Sequence, residues 1–149
     1  MARADLQGET VMEVITLKRR ILQRLFGISA TKIPLDPGCW TYADGHLRIN
    51  LGRAPELSKP GGAIRVERKN LPQRILVLHG EDGNFYTFRN RCRHMGRRLD
   101  PVPGTRTVQC CSVGKATYAY DGRIISGPAK EPVGTFAVQV KNGELVIAL

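Results

Sequence analysis

At 149 residues and 42% hydrophobic content the chain can bury one core without disulfide support, and its 16 glycines and 9 prolines describe a turn-rich globular domain, excluding a disordered or collagen-like chain. A net charge of +10 favours an acidic partner surface, yet the basic residues are spread along the chain without a zinc-finger, RNA-recognition or basic-helix pattern, which argues against nucleic acid. No run of about 18 apolar residues occurs and Met1-Ala2-Arg3-Ala4-Asp5-Leu6 does not read as a leader, so a cytoplasmic protein without a transmembrane segment is expected.

In chain order, Val11, Val14, Ile15, Leu22, Leu25 and Phe26 recur at helical spacing with Lys18, Arg19, Arg20 and Arg24 between them and Gly27 as a stop. The spacing predicts an amphipathic helix that packs on the domain or on a second copy, with contact to an anionic membrane surface as the other use of its basic face. Pro34-Leu35-Asp36-Pro37-Gly38 then breaks the pattern and divides an N-terminal helical extension, residues 1–37, from a β domain, residues 38–149. Short strands are expected at Trp40–Tyr42, Leu47–Leu51, Ala63–Glu67, Arg74–His79, Phe85–Arg89, Thr107–Cys110, Ala116–Tyr120, Arg123–Ile125, Thr135–Lys141 and Glu144–Ala148. Turn pairs separate them, among them Asp44-Gly45, Asp82-Gly83, Asp121-Gly122 and Asn142-Gly143, so the domain reads as all-β, an antiparallel sandwich or small barrel.

In a reducing compartment Cys39, Cys92, Cys110 and Cys111 are expected as free thiols or metal ligands. Cys92 and His94, two apart on a tight loop, offer one soft thiolate and one imidazole to a single site. A second loop beginning at Cys110, after fifteen intervening residues, can face the first and close it. Cys92-Arg93-His94-Met95-Gly96-Arg97-Arg98-Leu99 fits Cys-x-His-x-Gly-x-x-Leu, the first box of the Rieske [2Fe–2S] fold, which the chain resembles from about Trp40 to Leu149. Asp82–Asn90 is similar to the strand leading into that box, Gly127-Pro128-Ala129 to the proline loop that covers the cluster, and Thr135–Leu149 to the closing hairpin.

The second box, Cys-x-x-His-Gly in the family, departs from the pattern. With Cys110 in the first position, Val113 stands where histidine belongs and Gly114 matches the glycine; with Cys111 first, Gly114 takes the histidine position and Tyr118 becomes the expected aromatic. Upstream alternation favours Cys110, downstream alignment favours Cys111, and a bulge would satisfy both. The ordinary Rieske set of two cysteines and two histidines cannot be completed, because no histidine follows His94.

The resemblance implies a [2Fe–2S] cluster with atypical ligation by Cys92, His94, Cys110 and Cys111, with Cys39 either a reserve ligand or a buried strand residue. Structural zinc is a further expectation for such a donor set, and a cluster-free interaction module is the competing class. The implied function is one-electron transfer, as a ferredoxin-like carrier or oxidoreductase component and not an enzyme in its own right. Arg93, Arg97 and Arg98 either dock an acidic redox partner or form a solvated basic loop. His46 and His79 read as ordinary surface or satisfied histidines.

Overall fold

The computed structural model describes residues 28–68 and 70–149; the helix expected over residues 11–26 lies outside them. Twelve strands form three four-stranded antiparallel sheets among the described residues. The first sheet joins β1 (Trp40–Ala43), β2 (His46–Asn50), β12 (Glu144–Ala148) and β11 (Val138–Lys141), so the two ends of the β domain are paired directly. Its hairpins turn at Asp44-Gly45 and Asn142-Gly143, where both residues of each pair have φ between 50° and 76°. This is the twist that two-residue hairpins require and that Asn/Asp-Gly supplies with least strain.

The second sheet has the order β10 (Thr135–Phe136), β5 (Phe85–Arg89), β4 (Ile75–His79), β3 (Ala63–Val66). Its central strand, Ile-Leu-Val-Leu, is apolar throughout because both faces are covered. Ile75 and Val77 meet Leu47, Ile49, Leu145 and Ile147 of the first sheet. Leu76 and Leu78 face the other way, to Phe88, Leu99, Val108 and Tyr118.

The third sheet, β6 (Leu99–Pro101), β7 (Thr107–Cys110), β8 (Thr117–Ala119) and β9 (Ile124–Ser126), is inserted between β5 and β10. Three loops at one end carry the chemistry: residues 90–98 before β6, 111–116 between β7 and β8, and 127–134 after β9.

The architecture differs from the sequence expectation in two places. β6 was not anticipated, because three residues containing a proline and a buried aspartate carry no strand periodicity. The run Thr135–Lys141 divides at Ala137, as the chain leaves β5 in the second sheet to pair with β12 in the first. Asp100 is 1% exposed and accepts hydrogen bonds from Ser29 Oγ (2.8 Å), Ala30 N–H (3.0 Å) and Thr31 N–H (2.8 Å), which strap the start of the described chain to β6. No helix among the described residues is long and apolar enough to cross a membrane.

Candidate metal centre

Asn90 closes the first loop at both ends: its N–H donates to the Arg74 carbonyl at 2.8 Å, and its Oδ1 accepts the Leu99 N–H at 2.7 Å. Within the loop the Cys92 N–H donates to the Arg97 carbonyl and the Gly96 N–H to the Cys92 carbonyl, at 2.7 and 2.9 Å, while the Arg74 guanidinium holds the Gly96 carbonyl at 2.6 Å. Gly96 has φ of 70°, the left-handed turn that brings the chain back over Arg91. Cys92 is thereby buried at 2% exposure while His94, two residues on, stands at the surface.

The second loop leaves β7 at Cys110, whose N–H donates to the Ala116 carbonyl at 2.7 Å, and turns back with Lys115 at φ of 55°. Cys110 is turned into the core and hydrogen-bonds Cys92. Polar hydrogens converge on this thiol pair. Tyr118 Oη lies 3.4 Å from Cys92 Sγ, the His94 N–H donates to the same sulfur at 3.4 Å, and Ser112 reaches Cys110 Sγ through its Oγ at 3.0 Å and its N–H at 3.5 Å. The Arg93 N–H donates to Tyr118 Oη at 3.1 Å, aiming the phenol. Tyr118 and Ser112 were not singled out as donors in the sequence. The available signal was a tyrosine in a buried strand, whose hydroxyl must find a partner.

The thiols ionise as a pair. Hydrogen bonding from Cys110 is the largest influence on Cys92 and, with Tyr118 and loop N–H groups, outweighs burial to bring its pKa down to about 5. The same bond, reinforced by burial, pushes Cys110 up from the ordinary thiol value near 9. Between about pH 5 and 9 the metal-free folded chain therefore binds one thiol proton fewer than the unfolded chain, and its stability rises with pH. Above 9 the unfolded chain has released both protons while the folded chain retains that of Cys110, and stability falls again. Denaturation of metal-free protein at a series of pH values is expected to show a maximum near pH 9, with a limiting slope of about 1.4 kcal/mol per pH unit on the acid side. Monotonic behaviour through pH 9 would contradict the shared-proton pair.

The other candidates are placed differently. Cys111 is fully buried, but it belongs to neither core cluster; its N–H donates to the Arg98 carbonyl at 3.0 Å, and the charges it interacts with are those of Arg74 and Arg98. Adjacent residues leaving a strand point to opposite sides, so Cys110 reaches Cys92 while Cys111 lies beside Arg74 and Arg98. Val113 is 50% exposed. Cys39 lies in the core between the first two sheets, where burial pushes its thiol up. His79 is satisfied by the Leu57 carbonyl at 2.9 Å and by stacking on Phe85, and His46 by the Asp44 carbonyl at 2.9 Å. Among the described residues no three His, Cys, Asp or Glu side chains close on one point.

The arginines around the site also divide. Arg98 is engaged through Nε and Nη2, at 2.5 and 3.0 Å, by Glu67. Burial alone would raise that carboxyl, but the hydrogen bonds and charge of Arg98, with Arg65 and Arg74, hold it below its usual value. Arg93 pairs with Glu131. A groove of about 290 Å³ beside Cys92 and His94 is lined by Arg89, Arg91 and Arg93. Arg97→Glu is expected to leave stability within about 0.5 kcal/mol. Arg98→Glu is expected to cost about 1–2 kcal/mol of stability, because it sets two carboxylates together on a half-buried surface. Denaturant titration of the two variants checks the difference.

Three layers of antiparallel sheet, with two loops presenting paired thiols and one exposed imidazole at the same end, define an all-β domain with a thiol-bearing loop site. The chain belongs to the Rieske [2Fe–2S] domain family, whose family model matches residues 49–137. The cytochrome b6-f complex iron–sulfur subunit of Chlorobaculum tepidum is 28% identical over 99 residues, 66% of this chain and 53% of that protein, so the chain spans about half that relative's length. The ferredoxin subunit of 3-phenylpropionate/cinnamic acid dioxygenase from Escherichia coli K12 is 25% identical over 91 residues, 60% of this chain and 82% of that protein. The Sphingomonas yanoikuyae B1 ferredoxin superposes with a TM-score of 0.54 at 19% identity, over 63% of this chain and 93% of its own, a likeness of fold.

The group implied by this family is a [2Fe–2S] cluster. The residues present fit its thiolate half: two buried sulfurs in contact, ringed by hydrogen donors that favour negative charge on sulfur. One imidazole, that of His94, stands exposed on the same loop as Cys92.

Proposed function

We propose that this protein is a one-electron carrier that holds a [2Fe–2S] cluster of atypical ligation, with Cys92 and Cys110 as its thiolates and His94 as its imidazole. The observation that carries the reading is the Cys92–Cys110 pair itself, buried and surrounded by four polar hydrogens directed at sulfur. When bound, the cluster would accept and release a single electron. The protein's own residues would bind it, shield it from bulk water through the Leu99, Tyr118 and Ala129 core, and leave His94 exposed as the side facing a partner. Hydrogen bonds to sulfur from Tyr118 and Ser112 stabilise the added negative charge and tune the potential upward.

The partner supported best is an acidic redox protein, in keeping with the +10 charge and with the name of the Escherichia coli relative, a ferredoxin subunit of a dioxygenase. Residues 1–37 are an extension of this carrier, and the cytoplasm is its proposed location. Coulometric titration of anaerobically prepared protein tests the assignment: uptake of one electron per chain, with a matching loss of visible absorption, is expected. A chain that takes up no electron across the Rieske range of potentials is not a carrier.

A second reading, a cluster-free module of the same fold, is favoured by one observation. Neither Val113 nor Gly114 in the second box can ligate, and among the described residues no third donor closes on the thiol pair.

A further inference from the structure

All four cysteines are free thiols, and the fold sorts them into one pair and two isolated members. Cys92 and Cys110 hydrogen-bond to each other across the two loops. Cys39 lies in the separate core between the first two sheets, and Cys111 is turned toward Arg74 and Arg98. The pair is unequal in access. Cys92 forms part of the wall of the groove of about 290 Å³ between Arg89, Arg91, Arg93 and His94, whereas Cys110 is 1% exposed and lies behind that wall. The surroundings differ in the same sense. Cys92 Sγ lies beside Tyr118 Oη and accepts the His94 N–H, both at 3.4 Å, so polar hydrogens favour an electron-rich sulfur at the end of an open path. A reachable sulfur of this kind, with a second thiol in contact behind it, is the arrangement of an attacking and a resolving cysteine.

We infer that, in the chain without a cluster, Cys92 and Cys110 form a reversible disulfide on exposure to hydrogen peroxide, with Cys92 as the attacking sulfur and Cys110 as the resolving one. The Cys92 sulfur takes one peroxide oxygen as the O–O bond breaks, giving a sulfenic acid; the other oxygen leaves as water, carrying the thiol proton. The Cys110 sulfur then attacks the sulfenic sulfur. The S–O bond breaks, the S–S bond forms, and the hydroxyl leaves as a second water with the Cys110 proton. Two thiols lose two electrons in all, and one peroxide is reduced to two waters. Closing the disulfide removes the sulfenic acid before it advances to the irreversible sulfinic acid, so a thiol reductant recovers both sulfurs. A cluster would occupy the same two sulfurs, so the disulfide belongs to the chain before insertion or after loss of that group.

The test uses the full chain prepared with a chelator and a thiol reductant, assayed for residual iron, freed of reductant and treated with one equivalent of hydrogen peroxide. Thiols counted after denaturation are expected to fall from four to two and to return with dithiothreitol. After proteolysis, the fragment carrying Cys92 is expected to be joined to fragment 107–115, with mass-spectrometric fragmentation placing the link at Cys110. Cys39→Ser and Cys111→Ser are expected to form the same link. Cys110→Ser is expected to form none and to leave a sulfenic acid on Cys92 that dimedone traps, while Cys92→Ser leaves Cys110 unmodified.

Four thiols persisting in the treated chain, or a link to Cys39 or Cys111, overturn the inference; dimedone labelling of Cys110 in Cys92→Ser overturns the assigned order of attack. Should a serine variant fail to fold, the wild-type fragment map decides, a Cys92–Cys110 link supporting the inference and any other result overturning it. The carrier reading fails separately. A chain that never holds iron yet forms this disulfide removes that reading alone, and an iron-binding chain whose metal-free form keeps all four thiols removes only the disulfide.

Discussion

Cys92→Ser and Cys110→Ser are each expected to lower the iron content of the purified chain by about tenfold or more, with Cys39→Ser at the wild-type level. Soft iron binds thiolate far better than a serine hydroxyl, and these are the two sulfurs that the fold brings into contact. Cys39 lies in the other core, between the first two sheets, and has no route to the site. Both ligand variants are expected to remain folded, because serine is smaller than cysteine and its hydroxyl can accept the hydrogen bonds that Tyr118 and Ser112 now direct at sulfur. Iron analysis beside circular dichroism checks both parts. Iron retained in Cys110→Ser would mean that another group takes its place.

Gly127→Ala is expected to destabilise the domain by about 3 kcal/mol and to loosen the loop over the site. Gly127 has φ of 96°, a conformation costly for any residue with a Cβ, and the new methyl would meet the Ala116 Cα at 2.6 Å and the Ala116 N at 3.0 Å. Both contacts are with the backbone of the second loop, so no side-chain rotation relieves them. The neighbouring Pro128 reaches Gly114, and displacing it uncovers the His94 side of the site. Denaturant unfolding should record the loss, and faster removal of iron by a chelator should record the loosened cover. Unchanged stability would show that the loop closes over the site without this backbone approach.

What the sequence discloses is what is local. The turns at Asp44-Gly45 and Asn142-Gly143 are readable because the side chain two-residue hairpins need is written at the turn itself, and Cys92-x-His94-x-Gly96 is readable because one tight loop carries all three. Contacts made across long separations are not. Nothing in the pattern around Glu67 announces Arg98, thirty-one residues on, and the strap from residues 29–31 to Asp100 spans about seventy. Arg98 is consequently an internal partner of Glu67, where the sequence allowed a docking residue. The doubled cysteine is ambiguous for a different reason: a one-residue slip exchanges the faces of a strand, and upstream and downstream anchors imply opposite slips.

The most direct measurement is the iron and acid-labile sulfide content of the chain purified anaerobically without added metal. Binding of a [2Fe–2S] cluster at the Cys92–Cys110 pair is expected to give about two irons and two sulfides per folded chain, with a brown colour lost on reduction. A folded, colourless chain holding neither iron nor sulfide, or holding zinc in their place, would contradict it.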